Sequence, residues 1–167
     1  TENTFFFLIN NNSNKILSTI KSRCIEFKFF FNLNLKKQIL LNLIKQNEID
    51  FDVDKIDENI FFDTPGNILR YLQIIYENNI SSLDDKADCI SQLIDKYKIK
   101  KDKKLLIFIS TLVELFYSEL ASRNSKKLNI YFLNKSRILK RINEAINFNL
   151  DTKNLFIDIN GIIKNES

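Results

Sequence analysis

The residue in this sequence best suited to chemistry on a phosphate group is Arg23, in the tripeptide Ser22-Arg23-Cys24. A guanidinium stays protonated at physiological pH and presents planar N–H donors that match pairs of phosphate oxygens. Placed against a transferring phosphoryl group, such a side chain stabilises the charge that develops during transfer. The alternative is an exposed arginine without a chemical role, and the tripeptide taken alone favours that alternative.

The elements around Arg23 are two short apolar runs separated by a polar tip. Residues 4–9 read TFFFLI, which is too short for a helix and typical of a strand buried on both faces. A short helical segment is predicted from Lys15 to Ile20, and a second β-prone run extends from Ile25 to Phe31. The predicted order is therefore strand, polar tip, short helix, arginine and strand.

This order, with the sequence TIKSRC at Thr19 to Cys24, resembles the sensor 1 strand and SRC motif of the AAA+ clamp-loader subunits of bacterial DNA polymerase III. The resemblance implies that Arg23 is an arginine finger, which acts in trans on the ATP of a neighbouring subunit. Ser22 is expected to cap or orient the turn. Cys24 is expected to be a small buried residue rather than a reactive thiol.

The same resemblance places the sensor 1 side chain at Asn10 or Asn11, directly after the first apolar run. In α/β sheets, ligands bind beyond the carboxyl ends of the strands, so a polar residue there can face a ligand. Asparagine is also common in turns, and three asparagines stand in a row. The choice between Asn10 and Asn11 therefore stays open.

A helix start is predicted where the only proline stands, in Asp63-Thr64-Pro65-Gly66-Asn67. Thr64 or Asp63 would cap this helix, and Pro65 would occupy its first turn, where a missing N–H is harmless. The resemblance identifies this place as the sensor 2 helix of the clamp-loader lid. Asn67 occupies the family's arginine position, and Arg70 follows one turn later. This departure implies a subunit that does not itself hydrolyse ATP.

Apolar residues recur at helical spacing through the rest of the chain. Asn32 or Asn34 is expected to cap a helix from Lys36 to Gln46, and a short helix is expected at 55–62. Four further stripes predict a helical bundle, the last of them capped by Asp151. Their members are Leu83, Ala87, Ile90, Ile94 and Tyr97; Leu105, Phe108, Ile109, Leu112, Phe116 and Leu120; Leu128, Tyr131, Phe132, Ile138, Leu139, Ile142, Ala145 and Ile146; and Leu155, Phe156, Ile159 and Ile162.

The predicted fold class is therefore mostly α, in three parts. Residues 1–31 would be the C-terminal end of an AAA+ α/β domain, 32–80 a helical lid, and 81–167 an all-α collar that joins the subunits of a ring. The strands predicted in 1–31 need partner strands, so we expect a C-terminal fragment of a longer chain. Residues 147–153, NFNLDTK, resemble the turn before the last helix in the subunit of this family that does not hydrolyse ATP.

The resemblance also implies partners and a cofactor. No cofactor is expected in this fragment, since ATP would be bound by the neighbouring subunit. The expected partners are the gamma or tau and delta subunits of the loader, the sliding clamp, and primer-template DNA through the assembled complex. An ATPase of the gamma or tau type, with its own phosphate-binding loop upstream, and a helical interaction module without a nucleotide role remain alternatives.

Composition excludes several other classes of protein. The chain has no histidine and two distant cysteines, so no metal site is expected, and two reduced thiols suit the cytoplasm. The acidic stretch Asp50, Asp52 and Asp54 fails as a calcium loop, because Lys55 and Phe61 stand where glycine and glutamate are needed. No membrane-spanning run of about 18 apolar residues is expected.

The net charge of +4 permits an acidic partner without requiring one. The densest basic run, at 98–104, either contacts phosphates or an acidic partner, or is a solvated loop between helices, and the second interpretation is favoured.

Overall fold

The structure is a computed structural model that describes residues 4–10, 16–49, 51, 53, 56, 58–80, 83 and 85–166, the last range without the side chains of 164 and 165. The chain divides into two compact units, residues 1–31 and 32–167. The acidic residues Asp50, Asp52 and Asp54 lie outside the described residues.

The first unit contains one turn of helix, α1, at Ser18–Lys21. Residues 4–10 and 25–31 have no regular secondary structure, so the two predicted strands are not confirmed. A strand is defined by backbone pairing with a neighbour, and none of the described residues of either run is part of a strand. The apolar side chains of both runs are exposed, for example Phe7 at 91% and Phe30 at 87%.

The second unit is helical throughout its described elements, which confirms the mostly α prediction for this part of the chain. The elements are α2 at Leu33–Gln46, a 3-10 turn at Glu58–Phe62, α3 at Pro65–Asn78, α4 at Lys86–Lys100, α5 at Lys103–Arg123, a 3-10 turn at Ser125–Lys127, α6 at Leu128–Phe148 and α7 at Lys153–Glu166.

Side-chain caps fix where these helices begin. Asn32 accepts a hydrogen bond from Leu35 N at the start of α2, and Asp85 and Asp102 accept from the first turns of α4 and α5. Each cap satisfies a backbone N–H that has no partner inside its helix. The choice between Asn32 and Asn34 is therefore resolved in favour of Asn32.

Helix α5 is the centre of the core. It packs against α4 and α6, while α7 covers α4 and α6, and α2 packs on α3. By length and composition α5 is apolar enough to cross a membrane, so the expectation that no such stretch exists was wrong. More than half of this stretch, 56%, is buried inside the protein. Burial among neighbouring helices therefore accounts for its composition.

Helix α6 departs from the predicted stripe at two positions. Tyr131, Ile138 and Ile142 are buried as expected, but Leu128 and Phe132 are 47% and 64% exposed. Successive residues of an α-helix are turned by about 100° from one another. Because Tyr131 faces the core, the next residue, Phe132, is turned away from it. The assignment of Leu128 and Phe132 to the buried stripe was wrong.

Candidate functional site

The SRC tripeptide lies at the C-terminal end of α1, where successive backbone N–H groups continue the turn. Ser22 N donates to the Ser18 carbonyl at 2.9 Å, and Arg23 N donates to the Ile20 carbonyl at 3.0 Å. The Ser22 hydroxyl donates to the carbonyl of Thr19 at 3.2 Å. Ser22 therefore holds the turn from which the Arg23 side chain projects.

The Arg23 side chain is exposed. The nearby carboxylate of Glu26 forms its ion pair with Lys21, at 3.2 Å, and not with Arg23. Among the described residues no carboxylate pairs with the Arg23 guanidinium. Its N–H donors are therefore available for an external group, such as a phosphate.

The other predicted residues of this unit have different outcomes. Cys24 is exposed, which corrects the expectation of a buried residue, because the unit buries none of its described side chains. Asn10 is also exposed, and it takes part in an interaction within the structure. Asn11 lies outside the described residues. The choice between Asn10 and Asn11 stays open.

The start of α3 is built around the Asp63 carboxylate. One oxygen, Oδ1, accepts from Thr64 N at 2.7 Å and from the Asn67 side-chain amide at 2.8 Å. The Thr64 hydroxyl in turn accepts from Asn67 N at 3.3 Å, with Pro65 in the first turn. Thr64 therefore caps the helix as predicted, while Asp63 fixes the capping turn itself.

The second oxygen of Asp63 links α3 to α5. The Tyr71 hydroxyl donates to Asp63 Oδ2 at 2.6 Å and lies 3.1 Å from the Thr111 hydroxyl. The Tyr71 ring stacks on Phe108 of α5, with a centroid distance of 4.6 Å. Burial of the phenol, followed by its hydrogen bond to Asp63, raises the pKa of Tyr71 to about 12. Tyr71 therefore remains a neutral hydrogen-bond donor.

Lys36 of α2 fixes the same turn from the other side. Its Nζ donates to the carbonyls of Phe61 at 2.6 Å, Phe62 at 3.3 Å and Asp63 at 3.1 Å. These carbonyls end the 3-10 turn, and a cation there neutralises their partial negative charge. The capping turn before α3 is thus held by α2 as well as by α5.

The two predicted sensor 2 residues occupy different environments. The Asn67 amide is engaged by Asp63, inside the capping network. Arg70 is exposed on the surface of α3. The two residues stand three positions apart on one face of α3, but only Asn67 takes part in the capping network, so it has a structural role in the start of the helix.

The basic run at 98–104 is divided by the end of α4 and the start of α5. Lys100 donates to the side chain of buried Asn78 at 2.7 Å, and Lys103 donates to the Ile146 carbonyl at 3.0 Å. Lys98 pairs with Asp95, and Lys101 lies over the Tyr97 ring. Several of these lysines thus contribute to contacts within the helical unit.

Sequence reasoning missed Tyr71, Thr111 and Lys36. A tyrosine within an otherwise aliphatic stripe was the available signal for Tyr71, because a buried phenol hydroxyl needs a partner. Nothing in the sequence identified Thr111 as that partner, since the two residues lie 40 positions apart.

Comparison with known proteins finds a bacterial relative. The DNA polymerase III subunit delta' of Buchnera aphidicola subsp. Baizongia pistaciae (strain Bp) is 27% identical over an alignment of 182 positions, which covers 88% of this chain. The alignment covers 53% of the relative, so the chain spans about half the length of the curated relative it matches. No protein-family profile matches the chain, and no solved structure matches it significantly. The resemblance predicted from the motifs at Thr19–Cys24 and Thr64–Asn67 is therefore confirmed as similarity to a DNA polymerase III delta' subunit.

Proposed function

We infer that this chain is the C-terminal part of a delta prime subunit of the DNA polymerase III clamp loader, and that it works without hydrolysing ATP. The observation that carries this inference is the similarity to a delta' subunit over 88% of the chain. In this role the protein assembles the loader ring with the gamma or tau and delta subunits. The ring then places the sliding clamp on primer-template DNA during replication, in the bacterial cytoplasm.

Arg23 would supply an arginine finger in trans, to ATP bound by the neighbouring ATPase subunit. Three observations near Arg23 support this role: its side chain is exposed, Ser22 fixes the turn beneath it, and Glu26 pairs with Lys21 and not with Arg23. A fixed backbone with an unneutralised guanidinium is the arrangement that a phosphate-directed arginine needs. The cofactor of the reaction, ATP, would be held by the partner and not by this chain.

The three predicted domains form part of the same proposal. Residues 1–31 would end an AAA+ α/β domain, with Thr4–Ile9 and Ile25–Phe31 as strands paired to upstream strands of the full-length protein. Their exposed phenylalanines support this assignment, because burying each large apolar side chain is worth about 1.5–3 kcal/mol. Residues 32–80 would be the lid and 81–167 the collar.

The lid proposed here has no arginine at the sensor 2 position. Asn67 stands there and donates to Asp63, and Arg70 points into solvent at the surface of α3. This supports a subunit that does not bind a nucleotide for hydrolysis, rather than an ATPase of the gamma or tau type.

The test is Arg23→Ala in the full-length protein, assembled with the other loader subunits. We expect clamp- and DNA-stimulated ATP hydrolysis to fall, because loss of an arginine finger lowers the rate at its site by about 10³-fold or more. Arg23→Lys should not restore it, since an ammonium cannot reproduce the bidentate geometry. Lys28→Ala, which removes an exposed cation of the same unit and leaves the Lys21–Glu26 pair intact, is the matched control and should leave the rate unchanged.

Two results would contradict the proposal. Unchanged stimulated hydrolysis in the Arg23→Ala complex would remove the finger role while leaving the assembly role intact. Failure of the wild-type protein to join the gamma and delta subunits, measured by size-exclusion chromatography, would remove both and favour a helical module with no nucleotide role.

A further inference from the structure

A small cleft lies where the end of α4 and the start of α5 meet the loop before α7, and we call it the α7 cleft. Tyr97 and Ala145 are part of its apolar wall, and Lys101, Lys103 and Thr152 contribute polar groups. Its volume of about 290 Å³ is just below the range of about 300–1,000 Å³ that is typical of small-molecule sites. The cleft therefore has room for a small ligand only.

Thr152 is a buried polar residue whose hydroxyl lacks a partner. Its side chain is 5% exposed, and none of the described residues forms a hydrogen bond with the hydroxyl. The Thr152 carbonyl, by contrast, accepts from Phe156 N at 3.0 Å and so begins α7. Buried hydroxyl groups are nearly always hydrogen-bonded. Because Thr152 lines the α7 cleft, a partner for its hydroxyl can come from a molecule bound there.

The first turn of α7 supplies further donors next to Thr152. Lys153 N donates to Asp151 Oδ1 at 3.0 Å, whereas the N–H groups of Asn154 and Leu155 have no acceptor among the described residues. The N–H groups of a first turn point back along the helix axis, here toward the residues that line the cleft. With the positive end of the helix macrodipole, they favour an anion.

Lys101 and Lys103 add positive charge at the cleft. Lys101 Nζ lies 5.5 Å from the centroid of the Tyr97 ring, and Lys103 Nζ donates to the Ile146 carbonyl at 3.0 Å. In the part of the chain that the structure describes, neither lysine pairs with a carboxylate. Asp151 also lines the cleft, but two ammonium groups outweigh its single charge. The cleft is therefore electropositive.

We propose that the α7 cleft binds a phosphate group, either free phosphate or the phosphate of a small monoester. The Thr152 hydroxyl and the first-turn N–H groups of α7 donate hydrogen bonds to its oxygens, and Lys101 and Lys103 balance its charge. This proposal does not depend on the proposed function. Hydroxyl, amide and ammonium donors from different directions suit a tetrahedral oxyanion, since each of its oxygens can accept.

Two other classes of ligand fit the cleft less well. A divalent cation needs several oxygen ligands of negative charge, and no group of three carboxylate, thiol or imidazole side chains comes together among the described residues. A nucleic-acid duplex presents a row of phosphates and is bound by a basic surface that contacts many of them, whereas this cleft is a single concave site. The observations favour one phosphate group.

The test uses the full-length protein and measures binding of inorganic phosphate by isothermal titration calorimetry, with sodium chloride at the same ionic strength as reference. We expect a dissociation constant of about 1 mM, because so small an ion forms few contacts. Thr152→Val should raise it about tenfold, since a hydrogen bond to a charged group is lost. Thr111→Val, at a threonine that is also buried but lies away from the cleft, is the matched control and should bind phosphate like the wild type.

A second variant, Lys101→Asn, tests the charge of the cleft. Lys101 has a left-handed backbone with φ of 53°, which asparagine adopts readily, so the variant is expected to fold. Its dissociation constant for phosphate should rise severalfold, and the dependence of binding on salt should weaken. Lys104→Asn, at an exposed position outside the cleft, is its control. Circular dichroism of each variant would confirm that the helices remain.

Titration with adenosine monophosphate separates the two sources of the phosphate group. Tighter binding than inorganic phosphate would assign the site to a phosphate monoester, and equal or weaker binding would assign it to free phosphate. The proposal is overturned if the wild type shows no saturable binding of either, if acetate binds as tightly, or if Thr152→Val and Lys101→Asn both bind like the wild type. Binding of duplex DNA that both variants lose, without binding of inorganic phosphate, would also overturn it. None of these results bears on assembly with the gamma and delta subunits, so failure of this proposal is distinguishable from failure of the proposed function.

Discussion

Tyr71→Phe isolates the polar link between α3 and α5, because it removes one hydroxyl and keeps the ring. The lost hydroxyl donates to Asp63 Oδ2 at 2.6 Å and contacts the Thr111 hydroxyl at 3.1 Å. A phenylalanine would preserve the stack on Phe108, where the ring planes are 8° apart. The change in the free energy of unfolding therefore reports on the hydrogen bonds and not on packing.

The expected loss in the free energy of unfolding follows from the two hydrogen-bond partners of the hydroxyl, Asp63 and Thr111. A hydrogen bond to a charged group contributes about 1.5–3 kcal/mol net, and one between neutral groups about 0.5–1.5 kcal/mol. Asp63 is partly exposed and keeps two donors, from Thr64 N and the Asn67 amide, so it is not left as an unpaired buried charge. We expect a total loss of about 2 kcal/mol, near the lower end of the sum.

The measurement is urea unfolding of the chain, followed by circular dichroism. With a urea slope of about 2 kcal/mol per molar, the midpoint should fall by about 1 M. Tyr76→Phe, on the same helix and 72% exposed, is the matched control and should lie within about 0.5 kcal/mol of the wild type. Thr111→Val should be less damaging, and its effect should not add fully to that of Tyr71→Phe.

The reasoning would be refuted if Tyr71→Phe were as mild as Tyr76→Phe. Full additivity of Tyr71→Phe with Thr111→Val would refute the contact between the two hydroxyls, since residues that share a hydrogen bond must show a coupling energy.

Three further predictions concern the same helical unit. Lys36→Met should lower stability by about 1–2 kcal/mol in the same urea assay, because three carbonyls at the end of the 3-10 turn lose their cation. Ile109→Ala, at a fully buried position of α5, should lower it by about 2–5 kcal/mol, whereas Ile107→Ala, 46% exposed, should cost less than about 1 kcal/mol. Alkaline pH should destabilise the fold, because burial raises the pKa of Cys89 from 9.0 and that of Tyr71 from 10.0 to about 12. The folded state keeps these protons after the unfolded chain has lost them. The contribution of the two groups to the free energy of unfolding is therefore fully present below pH 9 and is lost between pH 9 and 12. Each group should contribute about 1 kcal/mol per pH unit, and flat stability across that range, measured by urea midpoints, would contradict it.

The helical part of the fold could be predicted from the sequence because its signals are local. The Thr64-Pro65 start of α3 and the cap at Asn32 depend on backbone groups within a few residues, and the structure contains both caps. At α7 the predicted cap was one residue early: the Thr152 carbonyl accepts the first helical bond, from Phe156 N, and Asp151 stands before it and accepts from Lys153 N. The strands predicted at 4–9 and 25–31 depend on pairing with distant segments, which a local pattern does not supply. Their apolar residues identify a surface that needs covering, without identifying what covers it.

The site was less predictable because its contacts are not local. Asp63 was considered only as an alternative cap, yet its two oxygens bind groups on α3, and through Tyr71 it reaches Thr111 on α5. The face of α6 was misjudged for a related reason. The spacing of the apolar residues predicts a helix, but the packing of α6 against α5 determines which of those residues are buried.

Asp63 also determines which interactions a side chain at position 67 can form. In the present chain the Asn67 amide donates to Asp63 Oδ1 at 2.8 Å, within the turn that caps α3. An arginine at this position would meet the same carboxylate, and a guanidinium beside a carboxylate forms a bidentate pair in preference to remaining free. Substituting Asn67 alone would therefore not restore a lid arginine that reaches a nucleotide. Under the proposed function, the missing sensor 2 contact depends on Asp63 and Tyr71 as well as on Asn67. The hydrogen bonds of these three residues fix the start of α3 against α5.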